Sequence, residues 1–376
     1  MTFTGAPAIN RIRHDPELSD FARTRGDSPL KVKRLLPRKI LLIRNDRLGD
    51  FVLAWPAFAL LRMALPDTEI EALVPAYTAP LATICPSIDR IRIEEPPFGR
   101  LSDTKRASLI LGASRPDWAV AFVTRLPLAI ALWRSRIPDR LAPATKIDQF
   151  FYNHTLRQRR SQSLKPEWVY NVELARYALT LWGCPIPSLP KPPYLRLDSA
   201  IVQKCRAAFL EQEAVRGSQK LVFLHPGHGG SARNWTPDEY AYLGERLLED
   251  PRITLVITAG PTEEELARRV QDAIPTRARV RIYVSRQGMI RFVEHLAFAD
   301  LWISGSTGPL HLVGALNRAT VAFYPPHPSA RALRWETIND EKNRLAIELG
   351  NTGHARTQLD RAAELIRRRF LTADGI

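Results

Sequence analysis

Three glycine-punctuated turns, each directly after an apolar run, hold most of the side chains in this 376-residue chain that could do chemistry. One runs Pro226-Gly227-His228-Gly229-Gly230-Ser231-Ala232-Arg233-Asn234-Trp235. Its glycines let backbone N–H groups approach an anion closely, and Arg233 can clamp two phosphate oxygens with its rigid fork. Another is Ser304-Gly305-Ser306-Thr307-Gly308-Pro309-Leu310-His311, where a helix starting at Gly308 or Pro309 would point free N–H groups at an anion with the Ser306 and Thr307 hydroxyls alongside. His311 falls in its first turn, able to donate one hydrogen bond as a neutral imidazole or to serve the packing alone. In the third, Gly260-Pro261-Thr262-Glu263, the carboxylate of Glu263 can accept from a ribose diol or cap the next helix.

A site for a phosphorylated donor needs an acid or base facing it. Residues 39–50, Lys-Ile-Leu-Leu-Ile-Arg-Asn-Asp-Arg-Leu-Gly-Asp, read as a buried strand entering a charged turn, and they offer Asp46 and Asp50. Asp50 follows Gly49 at the start of a helix, where the dipole favours the ionised form, and an open carboxylate there can take a proton from an incoming hydroxyl. A plain position in a helical first turn is the other reading of Asp50. His225 and His228 are near each other, but no carboxylate or thiolate spacing completes a metal set. The GxSxG, HExxH and GxxxxGK[ST] patterns are absent, which removes the serine hydrolase, zincin and P-loop classes.

Two strand-to-loop designs in one chain predict an α/β protein with two Rossmann-like halves, parallel sheets facing across a cleft. In the first half strands are expected at 39–44, 69–74, 90–94 and 118–123, with helices near 49–64, 101–113 and 169–182. Residues 141–170 break that rhythm with a long basic and aromatic loop, as in Phe150-Phe151-Tyr152. In the second half a helix near 199–215 precedes strands at 220–225, 253–258, 279–284, 300–304 and 319–324, with helices near 237–248, 262–273, 288–298 and 308–317 between them. Thr236-Pro237-Asp238-Glu239 reads as an N-cap with Pro at the first helical position. The expected organisation is a flexible basic extension over 1–37, an acceptor half over 38–185, a Pro-rich linker over 186–196, a donor half over 197–352 and a final helix within 353–376.

The charge is +15, from 54 basic and 39 acidic residues. Residues 1–39 carry nine bases against four acids and residues 134–165 eight against two, so these segments supply most of the excess. Such a surface suits nucleic acid, an anionic membrane face or a phosphorylated substrate. The three cysteines, Cys85, Cys184 and Cys205, are widely spaced, and no apolar run approaches the ~20 residues of a membrane span. Residues 1–10 do not read as a signal peptide. The expectation is a soluble protein of a reducing, cytoplasmic compartment, resting on a membrane surface.

Four segments, in order, resemble glycosyltransferase family 9, the ADP-heptose:lipopolysaccharide heptosyltransferases: ILLIRNDRLGDFVLAWPAF, HPG…ARNWTPDEYAYL, TAGPTEEELA, and STGPLHLVGAL…TVAFYPP. The resemblance covers roughly residues 38–370. It implies a GT-B fold whose last helix crosses back to the first half, and inverting, metal-independent transfer with no cofactor beyond a nucleotide-sugar co-substrate such as ADP-heptose. It also implies roles: Asp50 as general base, Arg233 on the leaving diphosphate, Thr307 and Gly308 as the phosphate-holding turn, with His311 as their companion, and Glu263 at the ribose. Gly227 belongs to the donor-binding set. The chain departs from the family at Ser306, where many members have an Asp that contacts the donor sugar, and at Arg233, where Lys is usual. The implied partners are a nucleotide sugar and a phosphorylated glycolipid acceptor at the inner face of the inner membrane, with no nucleic acid. A GT-B enzyme using another sugar or a protein acceptor, and a basic nucleic-acid-binding protein, are the alternative readings.

Overall fold

The structure, a computed structural model, describes residues 36–94, 100–145, 147–227, 235–349 and 355–371. Twelve strands among them form two sheets, parallel throughout. The first holds β1 (Lys39–Ile43), β2 (Glu69–Pro75), β3 (Arg90–Glu94), β4 (Trp118–Ala121), β5 (Asp139–Pro143) and β6 (His154–Leu156), in the order β3-β2-β1-β4-β5-β6. The second holds β7 (Lys220–His225), β8 (Ile253–Ala259), β9 (Val280–Val284), β10 (Leu301–Gly305), β11 (Thr320–Tyr324) and β12 (Arg344–Glu348), in the order β12-β11-β10-β7-β8-β9. The described residues belong to one compact unit.

The central strands are continuous apolar runs because helices cover both faces of a parallel sheet. Ile40, Leu41, Leu42 and Ile43 are all fully buried, with β1 paired to β2 on one side and β4 on the other. In both sheets the first strand in sequence lies at the centre, and the chain changes direction beside it. That creates a crevice at the carboxyl ends of β1 and β4, and another at those of β7 and β10. Ligands of open α/β sheets bind at such switch points. The segments that begin at Arg44, Pro226 and Ser306 leave from these strand ends.

Several elements differ from the sequence expectation. Residues 141–170 contain β5, β6 and two short 3₁₀ turns rather than one long loop. The edge strand β6 has three residues, all half-buried, so it carries no apolar alternation to announce it. Helix Leu126–Arg134 and edge strand β12 were likewise unanticipated. The helix expected over 49–64 is two helices, Leu48–Val52 and Trp55–Ala64, because Pro56 has no N–H to donate to the carbonyl of Val52. Thr236 and Glu239 form the expected cap, each side chain accepting from the other residue's N–H.

Among the described residues, the last helix packs on the second half rather than back on the first as expected. Helix Ala355–Ile366 lies on Pro237–Leu248, and its stripe of Leu359, Ala362, Ala363 and Ile366 joins the core of the second sheet. Asp360 accepts from Tyr242 Oη at 2.8 Å and pairs with Arg246 at 3.0 Å. Residues 331–336 also reach the first half. Arg331 donates to the Ser163 carbonyl (2.7 Å), Arg334 to the Arg160 carbonyl (2.8 Å), and Trp168 Nε1 to Glu336 (3.1 Å).

Candidate active site

Two short helices bring the sheets' crevices together. Leu48–Val52 leaves β1 and Gly308–Ala315 leaves β10, and each meets the other through a glycine. A Cβ on Gly49 would lie 2.7 Å from His311 Cδ2, and one on Gly308 2.9 Å from Leu48 Cδ2. The two missing side chains therefore set the separation of the acid-bearing turn from the anion-binding turn. A cavity of about 610 Å³ opens beside them, lined among others by Asp50, Glu263, Ser306, Thr307, Gly308 and His311.

The acid side is built around Arg44, 3 % exposed at the end of β1. It donates to Asp50 at 2.8 Å, to the Phe122 carbonyl at 3.1 Å and to Asn171 Oδ1 at 3.3 Å, and its Nε lies 3.0 Å from Asp46. Behind it stands Glu167, 2 % exposed, in the first turn of helix Glu167–Trp182. Glu167 pairs with Arg44 (3.2 Å), Arg160 (3.0 Å) and, from the second half, Arg334 (2.5 Å). Burial alone would raise the Glu167 carboxyl, but Arg44, Arg160 and Arg334 together hold it below its ordinary value. Asp46 is pushed up to about 7, burial and nearby Asp50 outweighing the attraction of Arg44.

Position separates the two acids. Asp50 lines the 610 Å³ cavity and two more, of about 950 and 870 Å³, that open on the first-half side. Asp46 lines only the latter two. Trp335 is the other residue that borders all three. The 950 Å³ cavity sets five arginines, Arg44, Arg157, Arg159, Arg160 and Arg334, against the carboxylates of Asp46, Asp50 and Glu167.

On the opposite side, Thr307 occupies the N-cap of Gly308–Ala315, and its Oγ1 is buried without a partner. Gly308, the first residue of that helix, lines the same cavity, and its N–H has no partner within the helix. His311 Nδ1 is also buried and unpartnered, and burial pushes the imidazole down to about 4, so it is neutral at physiological pH. Glu263 accepts from the Gly260 N–H at 3.0 Å. It makes no side-chain cap bond to its own helix, which leaves its remaining oxygen positions to the cavity. Gly227 has a reason the sequence did not show: a Cβ there would fall 2.5 Å from the Glu263 carboxylate, so the glycine makes room for that group. His225 lines the same cavity, its imidazole pushed below its ordinary value by burial and its Nδ1 3.1 Å from Thr258 Oγ1.

Of the residues expected from the sequence, Asp50, Glu263, Ser306, Thr307, Gly308 and His311 line one cavity, and Gly227 supports Glu263. Arg233 lies outside the described residues, as do His228, Gly229 and Gly230. Sequence reasoning missed Glu167, Asn171, Arg334 and Trp335. Their only signal is a charged or polar residue inside an otherwise apolar helical pattern, as Glu167 and Asn171 are in helix Glu167–Trp182.

Comparison with known proteins agrees with this geometry. Residues 138–363 match Glycosyltransferase family 9 (heptosyltransferase). A Haemophilus influenzae protein, provisionally described as a glycosyltransferase, is 43% identical over 309 residues, covering 82% of this chain and 88% of that protein. The lipooligosaccharide heptosyltransferase 2 of the same species is 22% identical over 299 residues, 76% of this chain and 83% of that one. Among solved structures, Escherichia coli ADP-heptose lipopolysaccharide heptosyltransferase II superposes with a TM-score of 0.70 at 19% identity, over 89% of this chain and 98% of that one. E. coli heptosyltransferase WaaC with ADP gives 0.67 at 17% identity, over 88% and 99%. The chain is thus a glycosyltransferase of GT-B fold and belongs to glycosyltransferase family 9, the heptosyltransferases.

Proposed function

We propose that this protein moves a heptose or related sugar from an ADP-sugar to a phosphorylated glycolipid acceptor of the lipopolysaccharide inner core, at the cytoplasmic face of the inner membrane. The observation that carries the reading is the place of Asp50: it borders the cavity that holds the helix N-terminus at Gly308 and also both cavities on the first-half side. A carboxylate so placed can take the proton of an acceptor hydroxyl as its oxygen attacks the anomeric carbon. The bond to the diphosphate breaks in the same displacement, which inverts that carbon.

The leaving diphosphate gathers negative charge as the bond breaks. Fixed dipoles and cations aimed at that charge stabilise the transition state more than the bound donor. The Gly308 N-terminus, the free Thr307 hydroxyl and Arg233 fill that part in a transfer that uses no metal, and Glu263 is assigned to the ribose. Arg44 fixes the Asp50 rotamer, and Glu167 in turn fixes Arg44. Ser306 supports a second reading of the donor: an uncharged hydroxyl where family members carry Asp fits a sugar other than heptose.

The test is thermal shift and donor hydrolysis with a panel of nucleotide sugars, ADP-heptose included, followed by transfer assays on Asp50→Asn. Stabilisation by an ADP-sugar is expected, together with a loss of roughly 10²–10⁴-fold in turnover for the variant at nearly unchanged donor affinity. If no nucleotide diphosphate stabilises the protein, the donor assignment fails. If the variant keeps its turnover, the base lies elsewhere.

A further inference from the structure

The outer face of the first sheet is covered by a thin layer: the 3₁₀ turn Leu101–Asp103, helices Thr104–Gly112 and Leu126–Arg134, and the 3₁₀ turn Ile147–Phe151. Ala107, Leu111, Leu128, Leu132 and Tyr152 pack from it onto Leu41, Ile43, Ala119 and Ala121. Its members adjoin one another, the two helices packing together and the second meeting the Ile147–Phe151 turn. Trp133 contacts Phe151 edge-on at 6.2 Å. The sides of this layer that do not touch the sheet are unusually apolar. Phe150 is 80% exposed, Leu109 70%, Ile147 66%, Leu101 58% and Trp133 55%.

Among the described residues of this layer, the exposed charges have one sign. Arg100, Lys105, Arg106, Arg115, Arg125, Arg134 and Arg136 are all exposed, whereas Asp103, Asp117, Asp139 and Asp148 are half-buried or buried. Two of these acids are occupied: Asp117 accepts from the Arg38 and Lys39 N–H groups, and Asp139 contacts His154 Nε2 at 2.8 Å. Large apolar and aromatic side chains set among exposed bases, with no exposed acid among the described residues of the layer, match an anionic lipid surface, which takes the former into its interfacial zone and attracts the latter. A soluble polyanion would satisfy the bases while leaving Phe150, Leu109 and Ile147 in water.

We propose that this layer, with Trp133, Ile147 and Phe150 as anchors and Arg134 and Arg136 beside them, is the surface by which the protein docks on an anionic bilayer. The place suits the reading of the site, on which the meaning of the docking rests. Arg125, immediately before helix Leu126–Arg134, lines the 870 Å³ cavity with Asp50, and Pro143, Ala144 and Thr145, just before the Ile147–Phe151 turn, line the 950 Å³ one. A glycolipid held in the bilayer would thus present its sugars to Asp50 from the docked side.

Vesicle binding tests this without any turnover, so its failure is distinct from failure of the glycosyltransferase reading. The full-length chain is floated with phosphatidylcholine vesicles with and without phosphatidylglycerol. Binding is expected only with the anionic lipid, and it should weaken as salt is raised. Arg134→Gln and Arg136→Gln should each lower the partition coefficient about fivefold, and Phe150→Ser roughly tenfold. Phe150 is so exposed that its loss leaves the fold intact, which circular dichroism and an unchanged nucleotide-induced thermal shift would verify. Equal binding to neutral vesicles, or undiminished binding by Phe150→Ser together with Arg134→Gln, would overturn the proposal. Loss of duplex DNA binding rather than vesicle binding in these variants would identify the face as a nucleic-acid surface and overturn it as well.

Discussion

Replacing Glu167 by Gln should separate the support of the site from its chemistry. The carboxylate is 2 % exposed and faces three guanidinium groups at 3.2, 3.0 and 2.5 Å. Each pair at that separation is worth roughly 5 kcal/mol at an effective dielectric of ~20, before the cost of desolvating the charges is subtracted. Glutamine keeps the shape but leaves Arg44, Arg160 and Arg334 crowded without their common counter-charge. Removing one partner of a buried ion pair costs about 3–5 kcal/mol, here a fall in Tm of about 4–6 °C by calorimetry. The loss has a pH signature. Because the arginines depress the Glu167 carboxyl from 4.5, its stabilisation is fully present above that value and disappears as pH falls through the lower folded one. The gap between wild type and Glu167→Gln must therefore narrow in acid. In transfer assays kcat should drop while the donor KM holds, since Arg44 orients Asp50 and does not line the donor cavity. A variant within 1 kcal/mol of wild type at neutral pH, or a gap that does not narrow at all as pH is lowered below 4.5, would refute the reasoning.

Other perturbations have equally definite outcomes. The Asp46 carboxyl, at about 7 in the fold against 3.8 unfolded, costs stability as pH rises between those values; Asp46→Asn should gain on wild type from pH 4 to pH 8 in paired thermal melts. Gly49→Ala drives a Cβ to 2.7 Å from His311 and should cost about 1–3 kcal/mol by denaturant titration, with activity falling alongside. Gly227→Ala pushes the Glu263 carboxylate aside, and should raise the donor KM several-fold with little change in Tm.

Local pattern made much of this molecule legible. Apolar runs ending in Gly-rich turns marked β1, β7, β8 and β10, and the acid, hydroxyl and glycine residues at their carboxyl ends were readable because a parallel strand must hand its chain to a ligand-facing loop. Asp50, Glu263, Thr307, Gly308 and His311 could each be named that way. Edge strands β6 and β12 were not, since a short half-buried strand has no period to show.

What the sequence left open was which charges share a pocket. Asp46 and Asp50 stand four residues apart with the same chemistry, and only the folded chain sets Asp50 against the Gly308 helix and leaves Asp46 behind it. The Arg44–Glu167–Arg334 chain joins residues 123 and 167 positions apart. The final helix chose the second sheet because its apolar stripe found Pro237–Leu248 there. The sequence by itself determined the elements and the residue types at their ends, because both follow from interactions within a few residues. Only the tertiary structure decided their partners, because charge pairing and close glycine contacts depend on distances between segments that local sequence does not encode.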